Sequence, residues 1–413
     1  MTARCIQRAH SLPLPASPVM AIGESSLLRG GRRPSRLQSP RGWLTSVDWV
    51  LFISAAVMLA IGVVSVYAAT RNGLTSSGQS GSRYLHRDVL NELVAVALVV
   101  PVARMDYRTL KNWAVPLFAA NCLLLLAVLS PLGSSVNGAH GWFNLGPVQL
   151  EPSEFTKLSL LLLLARLLSE RRLSEVAPSR RDILLCLGLT CVPLLLILAE
   201  PALGNAILLG VVMIVTLAMS EAPGRLIGGL LLATILAGYL AFSLHLLKPY
   251  QRERFTYLAD PKGSRTSTGY QIKQSEIAIG NGGVTGRGFL GGSQTDGGFI
   301  PEQQTDFVFT VSAEEGGLLA GTVLLAALGA LLLRMLAIAA RAPDLFGRVL
   351  VAGIASWFAF QAFVNIGMTV GIMPVTGLPL PLVSYGGSAN LADLLALALV
   401  SSVGQRANVG LHR

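Results

Sequence analysis

Long apolar runs alternate with short polar segments along the chain from about residue 48 onward. Most of these runs approach the ~20 residues that an α-helix needs to cross the ~30 Å hydrocarbon core of a membrane. The pattern predicts about ten membrane-spanning helices, the fourth of which starts near Pro152. The others are predicted at 49–69, 89–102, 114–132, 183–199, 203–219, 226–247, 307–336, 349–370 and 391–403.

The composition supports this pattern. Hydrophobic residues make up 52% of the 413 residues, charged residues make up 13%, and the mean hydropathy is +0.59. A soluble globule could not cover that much apolar surface, so we predict an all-α, polytopic protein of the lipid bilayer. The net charge of +10 is dispersed over short loops, which does not favour nucleic-acid binding. The four cysteines form no CxxC pair, so neither a disulfide framework nor a zinc site is indicated.

The chain divides into three parts by composition. The segment 1–42 is rich in Pro, Ser and Arg and has almost no periodic apolar pattern, so it is predicted to be a disordered basic tail. The membrane domain is predicted at 43–405, and a short tail follows at 406–413.

Arginine positions predict the orientation, because cytoplasmic loops are enriched in basic residues. The connection at 166–182 carries five arginines and is the strongest such marker. With both termini in the cytoplasm, every arginine-dense loop except 83–87 lies inside. The one large loop, at 248–305 between helices seven and eight, then lies on the extracytoplasmic side.

The stretch 270–317 holds the strongest candidate chemistry. It begins as a polar loop in which nine of the nineteen residues at 280–298 are glycine, and it has no GxxxxGK phosphate-binding motif. Such glycines either let the backbone run close to a substrate or give flexibility. Asp306 follows, where the loop meets a long apolar helix. A carboxylate there either has a function or caps the helix N-terminus.

A second charged site opens the fourth helix. Ser153 is a plausible N-cap, and Glu154 lies in the first turn, where acids are favoured. Lys157 lies three residues later on the same face, so the two side chains can pair. Lys157 is therefore either a functional cation or a lysine neutralised by Glu154. Glu314 and Glu315, about two turns beyond Asp306, either line a cavity or bond to a neighbouring helix.

Four motifs in this order resemble the SEDS family (shape, elongation, division and sporulation), and most closely its RodA-like branch. Together with the ten predicted helices they cover nearly everything after Asp48. The motifs are EPSEFTK at 151–157, YQIKQSEIAIGNGG at 270–283, PEQQTDFVFTVSAEE at 301–315 and GIMPVTGLPLPLVSYGGS at 371–388.

The resemblance implies an enzyme of the bacterial plasma membrane. It implies a peptidoglycan glycosyltransferase that polymerises lipid II, the undecaprenyl-diphosphate-linked disaccharide pentapeptide, on the outer face during cell-wall elongation. The implied partner is a class B penicillin-binding protein. The aspartate of the family's PEQxTDF motif is its essential catalytic residue, and Asp306 occupies that position here.

The chemistry of such a reaction agrees with these residues. A base must take the proton of the acceptor 4-hydroxyl, and cations must stabilise the leaving diphosphate. We predict Asp306, ionised near neutral pH, as that base and Lys157 as a cation for the diphosphate. The sequence leaves open a divalent cation, Mg²⁺ or Mn²⁺, and indicates no metal ligands. Further predicted substrate-binding residues are Glu154, Gln303, Thr305, Ser384, Tyr385 and Ser388.

Two positions depart from the family pattern. Many relatives have a basic residue before the tryptophan of the outer loop, where this chain has His140 and Gly141 before Trp142. The usual QPDLGT turn begins here with Glu200, and its acid is replaced by Ala202. Whether His140 and Glu200 replace the missing groups is left open.

Two other functional classes compete with the polymerase. A transporter or flippase of lipid-linked precursors would also have intramembrane ions and broken outer segments. It would, however, need charges near the midplane that are accessible from both sides, whereas Asp306, Glu154 and Lys157 are predicted near the outer edge. A scaffold that only recruits other enzymes would explain none of these three residues.

Overall fold

The structure, a computed structural model, describes residues 48–76, 83–136, 139–145, 148–170, 177–245, 248, 251–255 and 267–410. The tail predicted at 1–42 and the stretch 256–266 of the large loop lie outside the described residues. The protein consists mainly of α-helices. They are α1 Trp49–Ser76, α2 Arg83–Arg104, α3 Tyr107–Val128, α4 Pro152–Ser169, α5 Arg180–Ala199, α6 Leu203–Met219, α7 Gly224–Ser243, α8 Ser267–Gly282, α9 Ser293–Asp296, α10 Val308–Ala340, α11 Leu345–Thr369 and α12 Gly387–Gly410.

Each predicted span falls on one of these helices. Seven of the described helices, α1, α3, α5, α7, α10, α11 and α12, are long and apolar enough to cross a membrane, and α6 is apolar but shorter. The other two, α2 and α4, carry charged side chains within their apolar lengths. The prediction of an all-α multi-pass membrane protein is confirmed, while the number of ten crossings stays a prediction.

The core lies on α4, α6, α11 and α12. Trp357 and Phe358 of α11 have no exposed surface and pack edge to face at 5.5 Å between ring centroids. Most residues of α11 are buried, the polar Gln361 and Asn365 among them, which is typical of a helix at the centre of a bundle. By contrast, α7 buries none of its residues among the described parts of the chain. The site described below is built on the buried centre of the bundle.

The segment between α3 and α4 contains a small antiparallel sheet. Its strands are β1 Ser134–Val136, β2 Ala139–Leu145 and β3 Val148–Leu150, in the order β1-β2-β3. Ser388 at the start of α12 fixes this sheet to the bundle. Its Oγ donates to the Gln149 carbonyl at 2.8 Å and accepts from the Glu151 N–H at 3.1 Å.

The glycine-dense stretch is more ordered than predicted. Its first part is not a loop, because α8 extends through Gly282. The residues after α8 lie against α10: the Arg287 N–H donates to the Glu314 carbonyl at 3.0 Å, and the Leu318 N–H donates to the Gly283 carbonyl at 2.9 Å. Gly317, at φ 65°, interrupts α10 at this contact. These glycines allow the backbone after α8 to approach the backbone of α10 closely. This close approach, and not flexibility, explains why glycine occurs here.

Candidate active site

Asp306 lies in the turn that precedes α10. The helix begins at Val308 with Phe307 as its N-cap, and this helix start has no side-chain capping hydrogen bond. The interpretation of Asp306 as a helix cap is therefore wrong. Its backbone N–H donates instead to the Glu302 carbonyl at 3.0 Å, and Glu302 has a left-handed backbone at φ 51°. A strained turn thus presents the carboxylate.

The Asp306 carboxylate faces a second turn, at 376–379. A Cβ atom on Gly377 would lie 3.7 Å from Asp306 Oδ2, and Gly377 has φ 72°, which favours glycine. Burial raises the pKa of Asp306 to about 6, while the Arg254 guanidinium and a hydrogen bond from Thr305 act in the opposite direction. The carboxylate is therefore mostly ionised at pH 7, as a general base requires.

Polar side chains of α11 hold both turns. Asn365 Nδ2 donates to the Asp306 carbonyl at 2.9 Å and to the Leu378 carbonyl at 2.8 Å. One turn earlier on the same face, Gln361 Nε2 donates to the Pro379 carbonyl at 2.7 Å. Asn365 and Gln361 have no exposed surface, so these bonds lie inside the bundle.

Glu154 and Lys157 form the predicted pair. Lys157 Nζ donates to Glu154 Oε2 at 2.5 Å and to Gln361 Oε1 at 3.3 Å, and it lies 4.7 Å from the ring centroid of Trp357. Lys157 has no exposed surface in this conformation, so its predicted contact with a diphosphate stays a prediction. The N-cap of α4 is Glu151 and not Ser153, because Pro152 takes the first helical position.

The other predicted substrate-binding residues hold loops together. Gln303 Nε2 donates to Thr295 Oγ1 at 3.2 Å and to Thr310 Oγ1 at 3.0 Å. Ser384 Oγ accepts from the Leu380 N–H at 2.7 Å. Thr305 and Tyr385 are half-buried near Asp306, whereas Ser388 lies at the sheet. Their substrate contacts stay predictions.

Glu314 of α10 bonds to α9, in the segment that precedes Asp306. Its carboxylate accepts from the Gln294 N–H at 2.8 Å, from the Thr295 N–H at 3.0 Å and from Thr295 Oγ1 at 2.8 Å. Among the two interpretations of Glu314, this geometry fits a structural bond to a neighbouring segment. Glu315, on the other hand, has one oxygen without a partner in the described part of the chain.

The two departures from the family pattern have different outcomes. Glu200 is buried, its Oε1 has no partner among the described residues, and a Cβ on Gly141 would lie 3.5 Å from its Oε2. Burial and then the Glu151 carboxylate raise the pKa of Glu200 to about 8. The group is therefore largely protonated at neutral pH. The side chain of His140 lies outside the described residues.

Sequence reasoning missed Arg254. It belongs to the QRER segment that follows α7, on the side predicted to be extracytoplasmic. Two arginines in four residues on that side run against the positive-inside rule. This exception is the sequence signal that could have identified Arg254 as a functional candidate. Arg252 lies over the ring of Phe242 at 5.2 Å, whereas Arg254 acts on Asp306.

Comparison with known proteins agrees with the motifs. The family model FtsW/RodA/SpoVE, described as cell cycle protein, matches residues 48–408. The peptidoglycan glycosyltransferase MrdB of Escherichia coli is 36% identical over 85% of this chain and 93% of its own length. The stage V sporulation protein E of Bacillus subtilis is 35% identical over 87% of this chain and 97% of its own length.

Solved structures show the same similarity. A chain of a peptidoglycan synthase complex that coordinates polymerization and crosslinking superposes with a TM-score of 0.72 at 34% identity, covering 87% of this chain and 98% of that one. The rod shape determining protein RodA of Thermus thermophilus gives a TM-score of 0.63 at 32% identity, covering 87% and 96%. The chain therefore belongs to the FtsW/RodA/SpoVE family, which is the SEDS family that its four motifs resemble.

Proposed function

We propose that this protein is a peptidoglycan glycosyltransferase that polymerises lipid II during cell-wall elongation. The observation that carries the proposal is the setting of Asp306. Its carboxylate is half-buried, burial raises its pKa to about 6, and Arg254 acts to lower that pKa. A carboxylate base whose pKa an arginine lowers, at the edge of an apolar bundle, suits a substrate with a sugar, a diphosphate and a lipid.

The reaction needs a proton acceptor and charge stabilisation. In the proposed step the acceptor 4-hydroxyl attacks the anomeric carbon, the C–O bond to the diphosphate breaks, and Asp306 takes the hydroxyl proton. The attack comes from the face opposite the leaving group, so the configuration inverts. Arg254 stabilises the negative charge that develops on the diphosphate.

The part of the chain that the structure describes offers no evident site for a divalent cation. No group of three His, Cys, Asp or Glu side chains that could hold a metal ion occurs in the described ranges. Mg²⁺ or Mn²⁺ would therefore depend on the substrate's own diphosphate for most of its ligands. The proposed mechanism uses no step that requires it.

The active site is proposed to face outward, with both termini in the cytoplasm, since the arginine-dense loops then lie inside. The arrangement of Lys157 disfavours the transporter alternative. A translocating ion pair has to exchange partners and become accessible from each side. Lys157 is instead enclosed by Glu154, Gln361 and Trp357.

We also propose a class B penicillin-binding protein as partner. It would crosslink the strands that this chain polymerises. The similarity to a chain of a complex that coordinates polymerization and crosslinking supports this assignment.

The decisive experiment is polymerisation in vitro. The full chain, purified in detergent with and without a class B penicillin-binding protein, is incubated with lipid II, and the products are resolved on a gel. We expect glycan polymer that is lost in Asp306→Asn. If the chain is monodisperse and partner-bound yet yields no polymer, the proposed function is wrong.

A further inference from the structure

Two carboxylates lie in the first half of α2, ahead of its apolar run. Asp88 is 3% exposed, and Glu92, one turn later, is half-buried. A buried carboxylate is costly unless it has a partner or a task, and Glu92 has a partner on another helix. Glu92 Oε1 accepts a hydrogen bond of 2.5 Å from Asn390 Nδ2 of α12. One oxygen of each acid has no partner in the part of the chain that the structure describes.

Asn390 connects α2 to the turn at 380–385. Its Nδ2 also donates to the Ser384 carbonyl at 3.2 Å. One turn along α12, Asp393 Oδ2 accepts from the Leu382 N–H at 3.2 Å, and Leu382 has a left-handed backbone at φ 62°. Asn390 and Asp393 of α12 thus bond to a strained turn, and Asn390 is itself bonded to Glu92.

The same turn contacts the loop that carries Asp306. The Tyr385 N–H donates to the Gln304 carbonyl at 2.9 Å, two residues before Asp306. A continuous series of hydrogen bonds therefore runs from Glu92 through Asn390 and Ser384 to the Asp306 loop. None of these contacts involves Lys157 or Asn365, so the series is independent of the support that α11 provides.

We propose that Glu92 is a positioning residue for polymerisation. Through Asn390 and the 380–385 turn, it holds the loop of Asp306 in the geometry that the reaction needs. The inference rests on the proposed function. Glu92 touches no reacting group. Its effect is on the geometry of the transition state, where a misplacement of about 1 Å can cost about 10²-fold in rate.

Two variants separate the hydrogen bond from the charge. Glu92→Gln keeps a carbonyl oxygen that can accept from Asn390, whereas Glu92→Leu removes the acceptor. Asp88→Leu is the matched control, because it removes a buried carboxylate from the same helix without contact to Asn390. Each variant is purified as the full chain, its melting temperature is recorded, and kcat and KM for lipid II are measured.

We expect Glu92→Leu to lower kcat about 10- to 100-fold with little change in KM. Glu92→Gln and Asp88→Leu should stay within about threefold of the parent kcat, well inside the effect of a 1 Å misplacement. Asn390→Leu should reproduce Glu92→Leu, and it also serves if Glu92→Leu does not fold. A folded Glu92→Leu or Asn390→Leu enzyme with parental kcat overturns the inference, as does a Glu92→Gln enzyme as slow as Glu92→Leu. A parent protein that forms no polymer would instead refute the proposed function.

Discussion

Asn365 Nδ2 bonds to the backbone of Asp306, at 2.9 Å from its carbonyl oxygen, and not to its carboxylate. The same amide holds the Leu378 carbonyl at 2.8 Å. One buried side chain therefore fixes the distance between the turn that carries the carboxylate and the turn that faces it. The carboxylate itself is left available for a substrate proton.

Asp306→Asn tests the general base. Asparagine has nearly the same shape but cannot accept a proton at neutral pH, so we expect polymerisation to fall by about 10²- to 10⁴-fold. The bonds from Asn365 go to the Asp306 backbone, so folding and partner binding should persist. Initial rates on lipid II measure the effect. An asparagine enzyme with more than about a tenth of the parental rate is outside the range for a general base and would move the assignment elsewhere.

The pH dependence follows from the raised pKa of Asp306. The base acts when ionised, so kcat/KM should rise with pH through about 6 and level off above pH 7. Below pH 6 the rate should fall about tenfold per pH unit. Glu200 also has a raised pKa, of about 8, so Glu200→Gln is the control and should keep the inflection near 6. A profile that is flat from pH 5 to 8 would contradict a base with this pKa.

Much of the fold could be predicted because membrane insertion depends on the local run of apolar residues. Every predicted span coincides with a helix. The errors lie where charge or glycine masks a helix: α2 begins at Arg83, six residues before the predicted span, because Asp88 interrupts the apolar pattern. Likewise α8 was predicted as a loop, yet its packing against α10 outweighs the low helix propensity of glycine.

The candidate site was only partly predictable. Asp306 and the pair of Glu154 and Lys157 stand out because charges are rare near apolar runs. Asn365 and Gln361 do not stand out, since their partners are backbone carbonyls more than a dozen residues away in sequence. Such contacts depend on how the helices pack, which the pattern of one helix does not determine.

Arg254→Gln tests the proposed cation. Arg254 lowers the pKa of Asp306, so its removal should shift the inflection of the pH profile upward. On the plateau we also expect a loss of about 10- to 100-fold, because charge stabilisation of a leaving group is a large part of such catalysis. Arg252→Gln makes the same charge change in the same segment, but Arg252 lies over Phe242. Equal effects of the two variants would point to general surface charge and against a specific role for Arg254.

The proposed orientation can be measured by thiol labelling in intact cells. Ser293 in α9 and Ala177 before α5 are both exposed and lie on opposite sides in the proposed topology. In a background with all four native cysteines changed to alanine, Ser293→Cys should react with a membrane-impermeant maleimide, and Ala177→Cys should react only after permeabilisation. The reverse pattern would place Asp306 in the cytoplasm, where the proposed outward-facing site could not operate.

Lys157→Met distinguishes the two roles of the buried lysine only when it is combined with a change at Glu154. Alone, the variant leaves the Glu154 carboxylate buried without a cation, which typically costs about 3–5 kcal/mol in the free energy of unfolding. Loss of activity would then reflect damaged folding. The double variant Lys157→Met with Glu154→Gln removes both charges and keeps an acceptor for Asn205, which lies 3.4 Å from Glu154 Oε1.

Because replacing a whole buried ion pair is often nearly neutral, the double variant should regain the parental melting temperature. Lys157 has no exposed surface and is surrounded by Glu154, Gln361 and Trp357, so we expect polymerisation to recover as well, within about tenfold. That result would show that the pair supports α11, whose Asn365 holds the turn of Asp306. A double variant as stable as the parent but inactive would show the opposite: Lys157 would then have to leave Glu154 during the reaction and bind the diphosphate itself.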